Sequence, residues 1–308
     1  MTIVDWRGLP SAPIAAILAS DRQRWLTELR WDPAVAHGHI ETARTTWGLP
    51  GLAVVDAASN VLGLIYYFDT GSRFEIGGVI APTPLVTKAL VSGVVRDAAA
   101  LGRDLFCFAL DAPGLAMELA RHGCGVEPFV YLGRDLADAP AAPQGSAPVS
   151  RPWMAEDAAA TASLLQRAYL PEDSLYFAPG NTVAGWQQYV DGIVGHEACG
   201  SVLPGVSRCV AAGDELAAVS LVAKISADTV HLVQLAVDPA HRGQRLSVSL
   251  LDASCTEARA LGYTAIMLMA SSRNQAACRL YAQVGFTRRA MFVAATRPAQ
   301  TLQARAAS

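Results

Sequence analysis

The order of predicted elements repeats once along the chain, and this repetition constrains the fold more than any composition figure. In the second half, SRCVAAGDELAAVSLVAKIS reads as two strands joined by a turn at Gly213-Asp214, and DTVHLVQLAVDP as a third strand. An amphipathic helix follows from Leu246 to about Leu261, with Leu246, Leu250, Leu251 and Ala258 at helical spacing and Gly262 placed to end it. TAIMLMA reads as a strand, Asn274 as the cap of the helix QAACRLYAQV, and GFTRRAMFVAAT as a closing strand. The first half gives the same β-β-β-α-β-α-β order: the hairpin GLAVVDAASNVLGLIYYF, the strand RFEIGGVIAP, the helix LVTKALVSGVVRDAAALG, the strand DLFCFAL, the helix PGLAMELARHG and the strand VEPFVYLGRDL. Gly102 and Gly123 then correspond to Gly262 and Gly285. Two readings explain this likeness: duplication with divergence, or two generic α/β units of similar length.

Between the halves, DAPAAPQGSAPVSR holds three prolines and no apolar period, as expected of an extended linker. At 308 residues the chain has room for two cores of ordinary domain size. No apolar run is long enough to span a bilayer, and the N-terminal segment lacks a basic region before its short apolar patch, so a cytoplasmic protein is expected, without a membrane partner. The net charge is −3 and the basic residues are dispersed, which gives no footprint for nucleic acid. The six cysteines have no CxxC spacing, so neither a metal site nor a disulfide framework is indicated.

Chemistry concentrates after the third strand of the second half. Val237-Asp238-Pro239 leads through His241, Arg242, Gly243, Gln244 and Arg245 into the helix at Leu246. A helix start offers unpaired backbone N–H groups and the positive end of the macrodipole, and arginines add charge-assisted donors, so the loop suits a pyrophosphate. A solvated basic loop is the bland alternative.

At this loop the sequence resembles the GNAT superfamily of N-acetyltransferases, whose pyrophosphate loop follows the pattern Gln/Arg-x-x-Gly-x-Gly/Ala. Arg242 takes the first position and Gly243 and Gln244 the next two, while Arg245 stands where the family has glycine and Ser247 where it has glycine or alanine. A positive φ at Arg245 would cost about 1 kcal/mol or more. A second stretch, SSRNQAACRLYAQVGF, matches the family's N-x-x-A-x-x-L-Y-x-x-x-G-F pattern through Asn274, Ala277, Leu280, Tyr281, Gly285 and Phe286.

The resemblance implies an α/β chain (α+β mixed sheet) of two tandem GNAT-like acyl-CoA N-acyltransferase domains, at 1–137 and 151–308, with the linker at 138–150. It implies acetyl-CoA as co-substrate, held by Leu235, Ala236 and Val237, by Arg242, Gly243, Gln244, Arg245, Leu246 and Ser247, and by Asn274 and Tyr281. In the family the tyrosine at the Tyr281 position protonates the departing thiolate, and acyl transfer is by direct attack on an amine. The acceptor is a small-molecule amine or a peptide. The general base is not fixed: His231 and Gln234 lie on the right strand and only His231 titrates near neutrality, with Glu172, Asp173 and Glu197 as further candidates. Tyr176, Phe177, Trp186 and Tyr189 suit either an amine-binding pocket or the packing of helices on the sheet.

The first half lacks both motifs. Pro82 and Pro84 fall where donor N–H groups would be needed, and Leu119 falls at the Tyr281 position, so this half is expected to be a degenerate, non-catalytic copy. Support, a homodimer surface and a wall of the acceptor site remain open as its role. An acyl-CoA-binding or scaffold protein without turnover is the competing functional reading.

Overall fold

The computed structural model describes residues 1–137, 150–171, 176–178, 180–196 and 200–299. They form two compact units: Met1–Tyr131 with Ser271–Asn274 and Arg289–Ser308, and Leu132–Ala270 with Gln275–Arg288. Glu172, Asp173 and Glu197, and most of the linker, lie outside the described residues.

The first unit runs β1 (Thr2–Asp5), α1 (Ser11–Leu29), α2 (Ala34–Thr46), β2 (Gly51–Val55), β3 (Val61–Asp69), β4 (Arg73–Ile80), α3 (Pro84–Ala100), β5 (Asp104–Leu110), α4 (Leu115–Arg121) and β6 (Gly125–Asp135), whose last residues belong to the second unit. β2, β3 and β4 are antiparallel neighbours and β5 joins β4 in parallel. α3 starts abruptly because Thr83 caps it, its hydroxyl accepting from the Val86 N–H at 3.4 Å, with Pro84 in the first turn where no donor is needed. It packs Val86, Leu90, Val91 and Val94 onto the sheet in one buried cluster.

The second unit runs β7 (Arg151–Pro152), α5 (Ala158–Ala168), α6 (Val183–His196), β8 (Ser201–Val202), β9 (Arg208–Ala212), β10 (Glu215–Lys224), β11 (Thr229–Val237), α7 (Leu246–Ala260), β12 (Ala265–Ser271), α8 (Gln275–Gln283) and the start of β13 (Thr287–Arg297), whose residues from Arg289 on belong to the first unit. The antiparallel order β9-β10-β11 is followed by β12 parallel to β11. Trp153, Leu164, Leu165, Trp186 and Leu221 form the core under α5 and α6, while Leu246 and Leu250 of α7 pack the opposite face with Ala218. Each fully buried Leu of this kind contributes about 1.5–3 kcal/mol.

The strand that closes the chain does not stay with the half that precedes it. Phe292–Arg297 of β13 pairs antiparallel with Leu105–Leu110 of β5, and Val293 and Ala295 enter the core of the first unit.

Register decides between duplication and coincidence. In the second unit β9 and β10 slip at Ala217, and β10 and β11 slip at Val233. In the first unit β2 and β3 slip at Leu62, and β3 and β4 slip at Gly77, at equivalent places. A bulge shifts one strand by one residue and has no reason to recur twice in unrelated sheets. Both units also break the next, parallel ladder early, after Ile76/Cys107 in one and Leu232/Leu268 in the other. The two halves are copies of one mixed α/β design.

Candidate functional site

β11 supplies an unpaired edge. Its parallel pairing with β12 covers only Thr229–Leu232, whereas β11 continues to Val237 and β12 to Ser271. Beyond Leu232 the backbone of β11 on that side meets no strand among the described residues, so its N–H and C=O groups are offered to an added extended chain. Leu235 and Val237 pack toward α7 and Ala236 toward the cluster beneath α5 and α6, which leaves the backbone as the accessible part of these three residues. The bulge at Val233 sets His231 and Gln234 on one face, opposite Ala223 and Leu221.

The loop after β11 is built to present N–H groups. The Asp238 carboxylate accepts from the Ala240 N–H at 2.9 Å and fixes the short turn Pro239–His241. Gly243 (φ 80°) and Arg245 (φ 60°) then take left-handed conformations before α7 begins. No backbone N–H from Gly243 to Val248 has an acceptor among the described residues, and the first of these sit at the positive end of a 15-residue helix. Left-handed geometry at Arg245 costs about 1–2 kcal/mol that glycine would avoid. Gln244, Arg245 and the Arg242 side chain are exposed, and Ser247, in the first turn of α7, is half-buried.

The end of α5 ties these parts together. Arg167 Nε donates to Asp238 Oδ2 at 2.7 Å, and its Nη2 lies 3.3 Å from the Glu215 carboxylate. Burial pushes the Asp238 carboxyl up, but Arg167 and the Ala240 N–H outweigh it and hold the group below its ordinary range. The next residue, Ala168, accepts from Arg242 Nη2 through its carbonyl at 3.0 Å. Tyr169 follows, its hydroxyl donating to Gln234 Oε1 at 2.8 Å, while Gln234 Nε2 donates to the Tyr189 hydroxyl at 2.7 Å. Three consecutive residues thus hold the start of the loop, its first arginine and the bulged part of β11.

Tyr281, on α8, is buried, and burial raises its pKa well above the ordinary phenol value, with the nearby Tyr169 and Cys278 adding to the rise. The group therefore carries its proton throughout the neutral range. Its ring packs edge-on to Phe286 at 5.7 Å. Asn274 is exposed and immediately precedes α8, its N–H donating to the Ser271 carbonyl at 3.1 Å. His231 lies lower on β11, where the strand is paired on both sides, and burial lowers its pKa to about 4. The imidazole is neutral at neutral pH.

The aromatic segment has a clear division of labour. Trp186 is fully buried, its indole N–H donating to Asn181 Oδ1 at 2.7 Å, with Tyr169, Phe177 and Tyr189 packed around it. Trp186 belongs to the core. Tyr176, Phe177 and Tyr189 are half-buried. Sequence reasoning missed Arg167 and Tyr169 because their partners lie 71 and 65 residues away and no local pattern announces the pairing. Gln234, expected with His231 on the right strand, has its amide held between two phenols.

The first unit shows what happens without these parts. Aligned through the bulges, Gly78 stands where the second unit has Gln234, and the Tyr66 ring fills the space so closely that a Cβ at Gly78 would lie 2.7 Å from it. Pro82 replaces Asp238, and α3 begins two residues later with no intervening loop. Leu119, in the place of Tyr281, is fully buried.

Residues 167–286 match the family model described as Acetyltransferase (GNAT) family, and this segment is a GNAT domain. Among solved structures, the chain is similar to a GCN5-related N-acetyltransferase from Sphaerobacter thermophilus, at 16% identity and a TM-score of 0.66, covering 97% of this chain and 98% of the other. It is also similar to a tandem GNAT protein from the clavulanic acid biosynthesis pathway (16% identity, TM-score 0.54, 82% and 83% covered). An acetyltransferase of the GNAT family from Colwellia psychrerythraea matches at 13% identity and a TM-score of 0.54, with 96% and 100% covered. At these identities the likeness is one of fold. No curated protein matches the chain significantly. Among the described residues no helix is long and apolar enough to cross a membrane. The family match places a GNAT acetyltransferase domain at residues 167–286, in the second half of the chain.

Proposed function

We propose that the second half, 151–308, is an N-acetyltransferase that moves an acetyl group from acetyl-CoA to a primary amine, and that the first half, 1–137, is a non-catalytic copy. The observation that carries this reading is the convergence on Arg167, Ala168 and Tyr169 of the loop, the open strand edge and the neighbourhood of the buried phenol.

In this reading the N–H groups from Gly243 to Ser247, with Gln244 and Leu246 between them, receive the pyrophosphate of acetyl-CoA, and Arg242 and Arg245 add charge-assisted donors. The pantetheine pairs with the β11 edge at Leu235, Ala236 and Val237 and passes Asn274. Backbone N–H groups there stabilise the oxyanion as the acceptor nitrogen attacks the thioester carbon. A C–N bond forms and the C–S bond breaks, the Tyr281 phenol giving its proton to the thiolate. The nitrogen's surplus proton passes to a base, for which His231 is the candidate on β11, and burial that lowers its pKa to about 4 makes it a weak one. The acceptor is a small-molecule amine or a peptide amine, with the protein acting in the cytoplasm.

The test is release of CoA across a panel of amines and peptides. Stoichiometric CoA and acetylated amine are expected, with Tyr281→Phe slowing turnover while acetyl-CoA affinity holds. Tight acetyl-CoA binding with no CoA released for any acceptor would replace this reading with that of an acyl-CoA-binding protein.

A further inference from the structure

The first unit holds a cleft of about 570 Å³, within the range of small-molecule sites. One wall is a single stripe of α1, Pro13, Ala16, Ile17, Ser20, Asp21 and Arg24, at helical spacing; the other is the hairpin at 59–62 and the strand end at 80–82. The cleft is apolar at one end and polar at the other. At the polar end Asp21 is buried, with Oδ2 3.2 Å from His37 Nε2 on α2. Tyr66 of β3 lies close enough that Asp21, after burial, helps push its phenol up to about 12. Arg24 and Asn60 also line the cleft, the Asn60 amide donating to the Asp56 carboxylate at 2.8 Å.

The second unit shows how this place is normally closed. Asn60 and Pro82 align with Glu215 and Asp238, and there the Arg167 guanidinium lies between the two carboxylates. Among the described residues of the first unit no guanidinium takes that place, because Arg24 is turned to Glu28 (3.1 Å) and to the Asp111 carbonyl (2.8 Å). A carboxylate withdrawn from water and served by one imidazole favours a cation beside it. Among the lining residues Asp21 carries the carboxylate, and the arginine, Arg24, is committed to Glu28 and to the Asp111 carbonyl.

We propose that this cleft is a binding site for a small organic ammonium ion with a compact apolar body, the ammonium seated against Asp21 and the body against Ile17, Ile80 and Pro82. The site is separate from the acetyl-transfer site and does not depend on it. It gives the copy without a phosphate loop a ligand of its own.

Tryptamine and its uncharged analogue indole-3-ethanol are the probes, titrated calorimetrically into the full chain without acetyl-CoA. Saturable tryptamine binding is expected, at least tenfold tighter than indole-3-ethanol. Asp21→Asn should weaken tryptamine at least tenfold. Ala16→Phe, which fills the cleft from an exposed position on its wall, should abolish binding, with circular-dichroism melting confirming that both variants fold. Acetyl transfer, if present, should continue in both. Equal affinity for the two probes, undiminished tryptamine binding in Ala16→Phe, or no saturation by roughly 1 mM would overturn the proposal.

Discussion

Replacing Arg167 should weaken acetyl-CoA binding more than it slows chemistry. Its guanidinium donates to Asp238 at 2.7 Å, and Asp238 in turn fixes the turn that opens the loop through the Ala240 N–H at 2.9 Å. A hydrogen bond to a charged partner contributes about 1.5–3 kcal/mol. The Arg167 side chain is 30% exposed and that of Asp238 only 11%, so solvent screens the arginine partly and the lower end applies, about 1.5 kcal/mol, close to one factor of ten. Arg167→Met, which keeps the aliphatic packing of the stem, should raise KM for acetyl-CoA about tenfold and leave kcat within about threefold, because Tyr281 and the β11 edge are untouched. The same pair affects stability. The folded-state pKa of Asp238 is depressed below 3.8, so its contribution is fully present above that value and is lost as pH falls through the folded pKa. The gap in melting temperature between wild type and Arg167→Met should therefore be full at pH 7 and shrink in acid. Steady-state kinetics with acetyl-CoA varied, and melting curves across pH, check both. An unchanged KM, or a gap constant down to strongly acidic pH, would refute the reasoning.

Other outcomes follow from the same geometry. Tyr281→Phe should lower kcat by about 10²–10⁴ with acetyl-CoA affinity preserved in calorimetry. Arg245→Gly should raise stability by about 1 kcal/mol by removing the left-handed penalty, read in denaturant melts, while weakening acetyl-CoA if the side chain reaches phosphate. Trp186→Ala should cost about 3–5 kcal/mol of stability, since the indole is core. His231→Ala should lower kcat at least tenfold if the imidazole takes the amine proton; a kcat within twofold of wild type would remove it from that role.

Some of this was legible in the sequence. The helix from Leu246 and the Asn274–Phe286 pattern are local, each carried by residues close together in the chain, whereas the edge at Leu235–Val237 was implied only by the family resemblance. Pro82 and Pro84 likewise announced that the first half lacks a phosphate loop. The bulges at Val233 and Gly77 were hidden because a one-residue slip leaves the apolar period almost unchanged. The contacts of Arg167 and Tyr169 span more than sixty residues and depend on how α5 settles on the sheet. β13 was readable as a strand, but its sequence did not reveal that Phe292–Arg297 pairs with β5 of the first unit. Positive φ at Arg245 was foreseen only as a cost, and the structure shows that the backbone adopts it.

The central claim is that one unit of two holds acetyl-CoA and that the loop before α7 is the reason. The stoichiometry of acetyl-CoA in a calorimetric titration of the full chain tests it most directly. One molecule per chain is expected, with affinity reduced roughly 10- to 100-fold in Arg242→Ala, as for a lost charge-assisted hydrogen bond. Two molecules per chain, none, or one whose affinity is indifferent to Arg242 would contradict the account.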